Sequence, residues 1–155
     1  MKVTLLIPAL CLVTAVAFAQ KLNDFSGSWE FNPGKSKNVG MMSQMKMTQT
    51  IEQTKSSLDI AIHSTYQGRD DVSKTHFDLT GKPATNQSPM AGPSETVSKW
   101  AQGNLVTSWT SESAVAGGPK VVRTETRSLS PDRKTMTVES VRGSNPGMVM
   151  VFDKK

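Results

Sequence analysis

The sequence predicts an all-β chain, an up-and-down antiparallel β-barrel of about 8–10 strands. Short segments of alternating apolar and polar residues recur roughly every ten residues, the signature of half-buried strands. Gly, Pro, Asn and Asp clusters separate them, and no stretch keeps a helical period for more than about two turns. The segments also follow one another as hairpins. Closure into a barrel removes exposed strand edges, whereas a Greek-key sandwich needs a long crossing connection.

The first strand is expected at Ser26 to Asn32, with Trp29 and Phe31 on one side and Pro33-Gly34 as its stop. Lys46 to Thr54 places Met47 and Ile51 on one face. Ser57 to Tyr66 alternates most clearly, with Leu58, Ile60, Ile62, Ser64 and Tyr66 opposite Asp59, Ala61, His63 and Thr65. Lys55-Ser56 between these two segments predicts a tight hairpin. Val72 to Leu79 ends at Thr80-Gly81-Lys82-Pro83, and Pro83 to Pro93 reads as the longest loop because Pro, Gly, Asn and Ser dominate it. Further strands are expected at Glu95 to Ala101, Asn104 to Ser113, Lys120 to Leu129, Thr135 to Arg142 and Met148 to Asp153. Their connectors carry turn chemistry, with Gly free to reach positive φ and Pro131-Asp132 suited to a type I turn.

The N-terminus has a different character. Lys2, the apolar core from Val3 to Val13 and the small-x-small ending Ala17-Phe18-Ala19 have the layout of a secretory signal. Residues 1–19 are therefore expected to be a signal peptide and residues 20–155 a single barrel domain, secreted or periplasmic and with no stable membrane anchor. The apolar run is interrupted by Thr4, Pro8 and Thr14 and is shorter than the about 20 residues of a spanning helix. Cys11, the only cysteine, leaves with the signal, so no disulfide or thiol chemistry is expected in the domain. Leu10 in front of Cys11 argues against lipidation.

The chain has 18 basic and 13 acidic residues, for a net charge of +5. The basic residues are dispersed, with no stripe of the kind nucleic acid requires. No nucleic-acid partner is expected, and the domain reads as a monomer. Hydrophobic residues make up 36% of the chain, but fifteen of the first nineteen residues are of this kind. The domain is thus sparsely apolar, and a barrel of this size with so few large apolar groups is expected to be partly hollow and partly polar inside.

Strand parity points Tyr66, Thr107, Trp109, Arg127, Ser140, Arg142 and Met150 inward, an apolar wall with a few polar groups that suits a small hydrophobic, amphipathic or anionic molecule. For Lys120 to Leu129 either parity is open, because Arg123, Glu125 and Arg127 alternate with Val122, Thr124 and Thr126; a shift of one residue places Arg127 in solvent. Met41, Met42, Met45 and Met47 crowd seven residues and read as a lid or portal, as a soft-metal Cu(I) site, or as ordinary packing. His63 and His76 are too few for a catalytic zinc site without carboxylates, and no nucleophile-elbow signature is present. No cofactor, metal or catalytic residue is expected.

The segment Asp24 to Lys37, DFSGSWEFNPGKSK, resembles the opening of the lipocalin and fatty-acid-binding-protein superfamily, whose first strand holds a Gly-x-Trp motif, here Gly27-Ser28-Trp29. It is more specifically similar to small secreted bacterial lipocalin-like proteins with F-S-G-x-W, N-x-x-K-S, L-S-x-D-x-K-T and V-F-D-K segments. The matching residues are Asn32, Lys35 and Ser36, then Leu129 to Thr135, then Val151 to Lys154. The resemblance implies that Gly27 and Trp29 serve the base of the barrel, with an Arg from a late strand stacked on the Trp. Arg142 is the first candidate for that Arg and Arg127 the second. The Arg-x-Tyr carboxylate clamp of the cytosolic fatty-acid-binding proteins is absent from Met148 to Asp153, so a fatty-acid ligand is not implied.

Together these observations lead to a non-enzymatic, secreted or periplasmic protein that binds a small hydrophobic or amphipathic molecule. The alternatives are an envelope interaction barrel that serves as a scaffold without a small ligand, and a Met-based Cu(I)-binding protein.

Overall fold

The computed structural model describes residues 21–88 and 91–155; the expected signal peptide lies outside them. Ten strands alternate up and down: β1 Gly27–Phe31, β2 Lys46–Gln53, β3 Ser57–Tyr66, β4 Arg69–Asp78, β5 Ala84–Ser88, β6 Gly92–Ala101, β7 Asn104–Ser111, β8 Val121–Leu129, β9 Thr135–Val141 and β10 Met148–Lys154. They form one antiparallel sheet in the order β4-β3-β2-β1-β10-β9-β8-β7-β6-β5. Pairing of β1 with β10 curls the meander round, so that β4 and β5 meet across a seam and the barrel is nearly closed. Among the described residues no helix is long and apolar enough to cross a membrane.

The expected hairpin at Lys55-Ser56 forms, with Gln53 paired to Leu58 and the Thr54 amide donating to the Ser57 carbonyl at 2.9 Å. The loop expected over Pro83 to Pro93 needs correction, because it contains β5 and the start of β6. β5 reads Ala-Thr-Asn-Gln-Ser and has no apolar residue larger than alanine. Its one buried position is Asn86, so no alternation of hydrophobicity marks it.

The register fixes one inward set for every strand, since directly paired residues share a face. Trp29 and Phe31 of β1 align with Gln49 of β2 and Phe152 of β10; Val138 of β9 faces Arg127 of β8, which pairs with Leu105 of β7. Much of the core gathers at one end, where Phe25 and Trp29 are fully buried with Leu58, Phe77, Leu105 and Met136. The segment before β1 plugs this end. The Phe25 amide donates to Gln53 Oε1 (3.0 Å), the Asn23 amide to the Gly103 carbonyl (3.0 Å), and the Phe25 ring stacks on Trp100 with centroids 6.2 Å apart.

Gly27 stands at φ +122°, where a side chain is strained, and a Cβ there would lie 3.4 Å from the Lys154 Cε. That lysine runs on to the Trp29 ring, with Nζ 5.3 Å from its centroid. The cation expected from Arg142 is thus supplied by Lys154. Arg142 itself is a correction: β9 ends at Val141, and Arg142 is exposed in the following turn.

The other segments that carry the family resemblance meet in a clasp between the two ends of the domain. Asp153 accepts from Asn32 Nδ2 (2.6 Å) and Lys35 Nζ (2.8 Å), and Val151 donates its amide to Ser36 Oγ (2.9 Å). In the β8–β9 turn, Ser130 Oγ and the Lys134 amide donate to Asp132, while the Thr135 amide donates to Ser130 Oγ (3.0 Å). These residues hold β1, β9 and β10 together.

Lys35 first and Asn32 second hold the Asp153 carboxyl below its ordinary value of 3.8. The folded state therefore binds this proton less readily than the unfolded chain, and the clasp's contribution is full above that value and lost as the pH falls through and below it. Replacing Asp153 with Asn is expected to flatten the decline of the urea midpoint between about pH 5 and pH 2. An unchanged acid limb in this variant contradicts the assignment.

The seam is bridged by a side chain. Asn86 of β5 accepts from the His76 amide (2.9 Å) and donates to the His76 carbonyl (2.7 Å) and to Thr96 Oγ1 (2.8 Å). The carboxamide thus stands in for a backbone partner where β4 and β5 lack a ladder. Asn86→Ala is expected to cost about 1–3 kcal/mol, because two partly buried backbone groups and the buried Thr96 hydroxyl lose their partner. It also releases the His76 amide to faster hydrogen exchange, and unchanged protection there refutes the bridge.

Candidate functional site

Above the packed base lies a cavity of about 260 Å³ inside the barrel. Ile60, Ile62, Val138 and Met150 give it an apolar wall, and Asp71, Ser88 and Arg123 line it toward the opposite end. That end carries the β3–β4 turn, the β9–β10 turn and a short 3₁₀ helix at Gly40–Gln44, tied down by Asn38 Nδ2 donating to the Gly147 carbonyl (2.8 Å).

Trp109 is the aromatic centre of the cavity. Phe77 meets it edge-on at 5.6 Å, and the Arg123 guanidinium lies 4.6 Å from its ring centroid, a cation–π arrangement. Arg127 sits deeper, 4% exposed. Its Nη2 donates to Glu125 Oε1 at 3.2 Å, and its Nη1 to Gln49 Oε1 at 3.2 Å and Met136 Sδ at 3.3 Å. Burial pulls the guanidinium below its ordinary pKa while Glu125 pushes the other way; an arginine in such a pair remains a cation. Arg127 Nε and Trp109 Nε1, both buried, have no hydrogen-bond partner among the described residues.

The remaining inward polar groups of β5–β7 are satisfied in pairs. Ser94 bonds Ser111 (2.7 Å), Ser98 bonds Thr107 (2.8 Å), and Asn86 bonds Thr96. A hydroxyl filling of this kind accounts for a barrel with few large apolar residues, since each group in these pairs has a partner.

Of the residues expected inward, Trp109, Arg127 and Met150 line the cavity. Thr107 is buried in its pair with Ser98, Ser140 is buried outside the cavity wall, and Tyr66 is half-buried near the end of β3, where Gln67 Nε2 donates to its hydroxyl at 3.2 Å. The open parity of β8 is settled, with Arg123, Glu125 and Arg127 all inward. Arg123, Glu125, Gln49 and Phe77 were not among the expected site residues. Spacing held the signal for the first two, because they lie at i−4 and i−2 from Arg127 on one strand face.

The methionines do not form one cluster on the core. Met47 packs against it, Met42 and Met45 are half-buried, and Met41 is 76% exposed on the 3₁₀ helix. Among the described residues no group of three or more His, Cys, Asp or Glu is placed to hold a metal. His63 is exposed, and His76 Nδ1 lies 2.6 Å from Asp59 Oδ1. The latter pair belongs to a larger outer groove of about 560 Å³ at the seam, with Glu52 and Lys74 also in its wall. Its charged, solvent-facing lining offers little to an apolar molecule.

No protein-family model matches the chain, and no curated protein matches it in sequence. Solved structures do share its fold. Fatty-acid-binding protein 1 of Echinococcus granulosus is 12% identical, with a TM-score of 0.64 over 84% of this chain and 96% of that one. The apo form of Caenorhabditis elegans lipid binding protein 8 is 14% identical, with a TM-score of 0.65 over 84% and 95%. A mutant of the fluorescent protein UnaG is 16% identical, with a TM-score of 0.65 over the same shares. The chain therefore has the fold of the fatty-acid-binding proteins and other calycin-type barrels.

Proposed function

We propose that this chain is a non-enzymatic, secreted or periplasmic binding protein that holds a small hydrophobic or amphipathic molecule in its lumen. The observation that carries the reading is the internal cavity of about 260 Å³, with Ile60, Ile62, Val138 and Met150 as aliphatic wall beside Trp109 and polar or charged groups on the rest of its lining. Ligand sites are built in this way, and the volume, just below the roughly 300–1,000 Å³ common for them, calls for a small occupant. The printed names of two proteins of the same fold, a fatty-acid-binding protein and a lipid binding protein, support an apolar cargo. Export rests on the layout of residues 1–19. Met41 and Met42 on the short helix Gly40–Gln44 support a portal reading, because flexible thioethers adapt to varied apolar surfaces.

Titration with Nile red, a neutral polarity-sensitive dye, tests the site. Saturable one-to-one binding is expected, and Val138→Phe, which fills the cavity, is expected to weaken it by about tenfold or more, the equivalent of about 1.4 kcal/mol. Equal affinity in a folded variant places the dye elsewhere and removes the support for a lumen site.

A further inference from the structure

We propose that the lumen selects an uncharged molecule with a carbonyl-type hydrogen-bond acceptor and discriminates against a carboxylate. This rests on the lumen being the binding site and names the head group it takes. The first observation is charge balance. Four charged side chains line the cavity among the described residues, Arg123 and Arg127 against Asp71 and Glu125. The deeper cation is already matched, since Glu125 Oε1 lies 3.2 Å from Arg127 Nη2 and the two side chains are 10% and 5% exposed. A ligand carboxylate brought to Arg127 would stand beside the Glu125 carboxylate in a desolvated space, where like charges repel and neither is well hydrated.

The second observation concerns what is left unpaired. Trp109 Nε1 and Arg127 Nε are both donors, and no buried side-chain acceptor is similarly orphaned among the described residues. Both residues line the cavity, with 5% and 4% exposure. Buried polar groups are normally satisfied, and an unmade hydrogen bond is costly. A group that only accepts satisfies either orphan without adding charge, which describes the carbonyl oxygen of a ketone or ester.

The test compares decan-2-one with nonanoic acid, which have equal numbers of heavy atoms, as competitors for Nile red at pH 7.5, where the acid is ionised. The ketone is expected to bind about tenfold or more tightly than the carboxylate, given the cost of an additional buried charge. Trp109→Phe, which removes one orphan donor, is expected to lower ketone affinity by about three- to tenfold, the range of one neutral hydrogen bond. Glu125→Gln frees the Arg127 charge and is expected to shift the preference toward the carboxylate by about tenfold. Carboxylate binding equal to or tighter than ketone binding in the unaltered protein overturns the head-group assignment while leaving the lumen site standing. Failure of the dye and of both competitors to bind overturns the lumen site, and the assignment with it. Should Glu125→Gln fail to fold, the comparison in the unaltered protein still decides.

Discussion

Trp29→Ala is expected to destabilise the protein by about 3–5 kcal/mol, the cost of emptying a large aromatic site in a packed core. Trp29 is fully buried, donates from Nε1 to the Phe25 carbonyl at 2.8 Å, and carries Lys154 over its ring. Its loss removes the floor on which the N-terminal plug rests. Trp29→Phe keeps most of the packing and loses the hydrogen bond, so it is expected to cost about 1–3 kcal/mol. Urea denaturation of both variants checks the order. A cost below about 1 kcal/mol for Trp29→Ala contradicts a structural role for this residue, since large-to-small core changes cost several times more.

Glu125→Leu is expected to cost about 3–5 kcal/mol because it leaves the Arg127 guanidinium buried without its counter-charge. Glu125 is 8% exposed and provides the only carboxylate bonded to Arg127 among the described residues. The double variant Glu125→Leu/Arg127→Met is expected to recover most of that loss, because apolar side chains in place of both ions avoid desolvation altogether. A double variant as unstable as the single one contradicts this pairing. Recovery of stability together with loss of selectivity between ketone and carboxylate fits a pair retained for recognition.

The fold was legible where one side of a strand is apolar and the other polar. Ser57 to Tyr66 is the clearest case, and its inward set Leu58, Ile60 and Ile62 lies along the core and the cavity. β5 was not legible, because a strand whose buried position is Asn86 has the composition of a loop; only the seam, which needs a side chain to bridge it, explains that residue. Lys154 was missed for a related reason. A charged residue beside the C-terminus reads as solvated, yet β10 keeps its inward parity through Phe152 to Lys154 and the aliphatic stem passes over Gly27 to Trp29. Arg142 shows the converse error, since its parity matches Ser140 but the strand stops first.

The site was half legible. Trp109 and Met150 followed from alternation, whereas Arg127, whose strand could be read in either parity, and the Glu125 partner that changes its meaning required the register of β8. The segments that resemble a known family assemble into the base and the clasp. They report how the barrel is closed, and the lumen residues lie outside them.

Native mass spectrometry of the protein recovered from its own host tests the central claim most directly. The account predicts a fraction carrying one small uncharged apolar molecule per chain, absent from Val138→Phe prepared in the same way. Recovery of bare chains alone, from a protein that also fails to take up Nile red, contradicts a lumen built for a ligand.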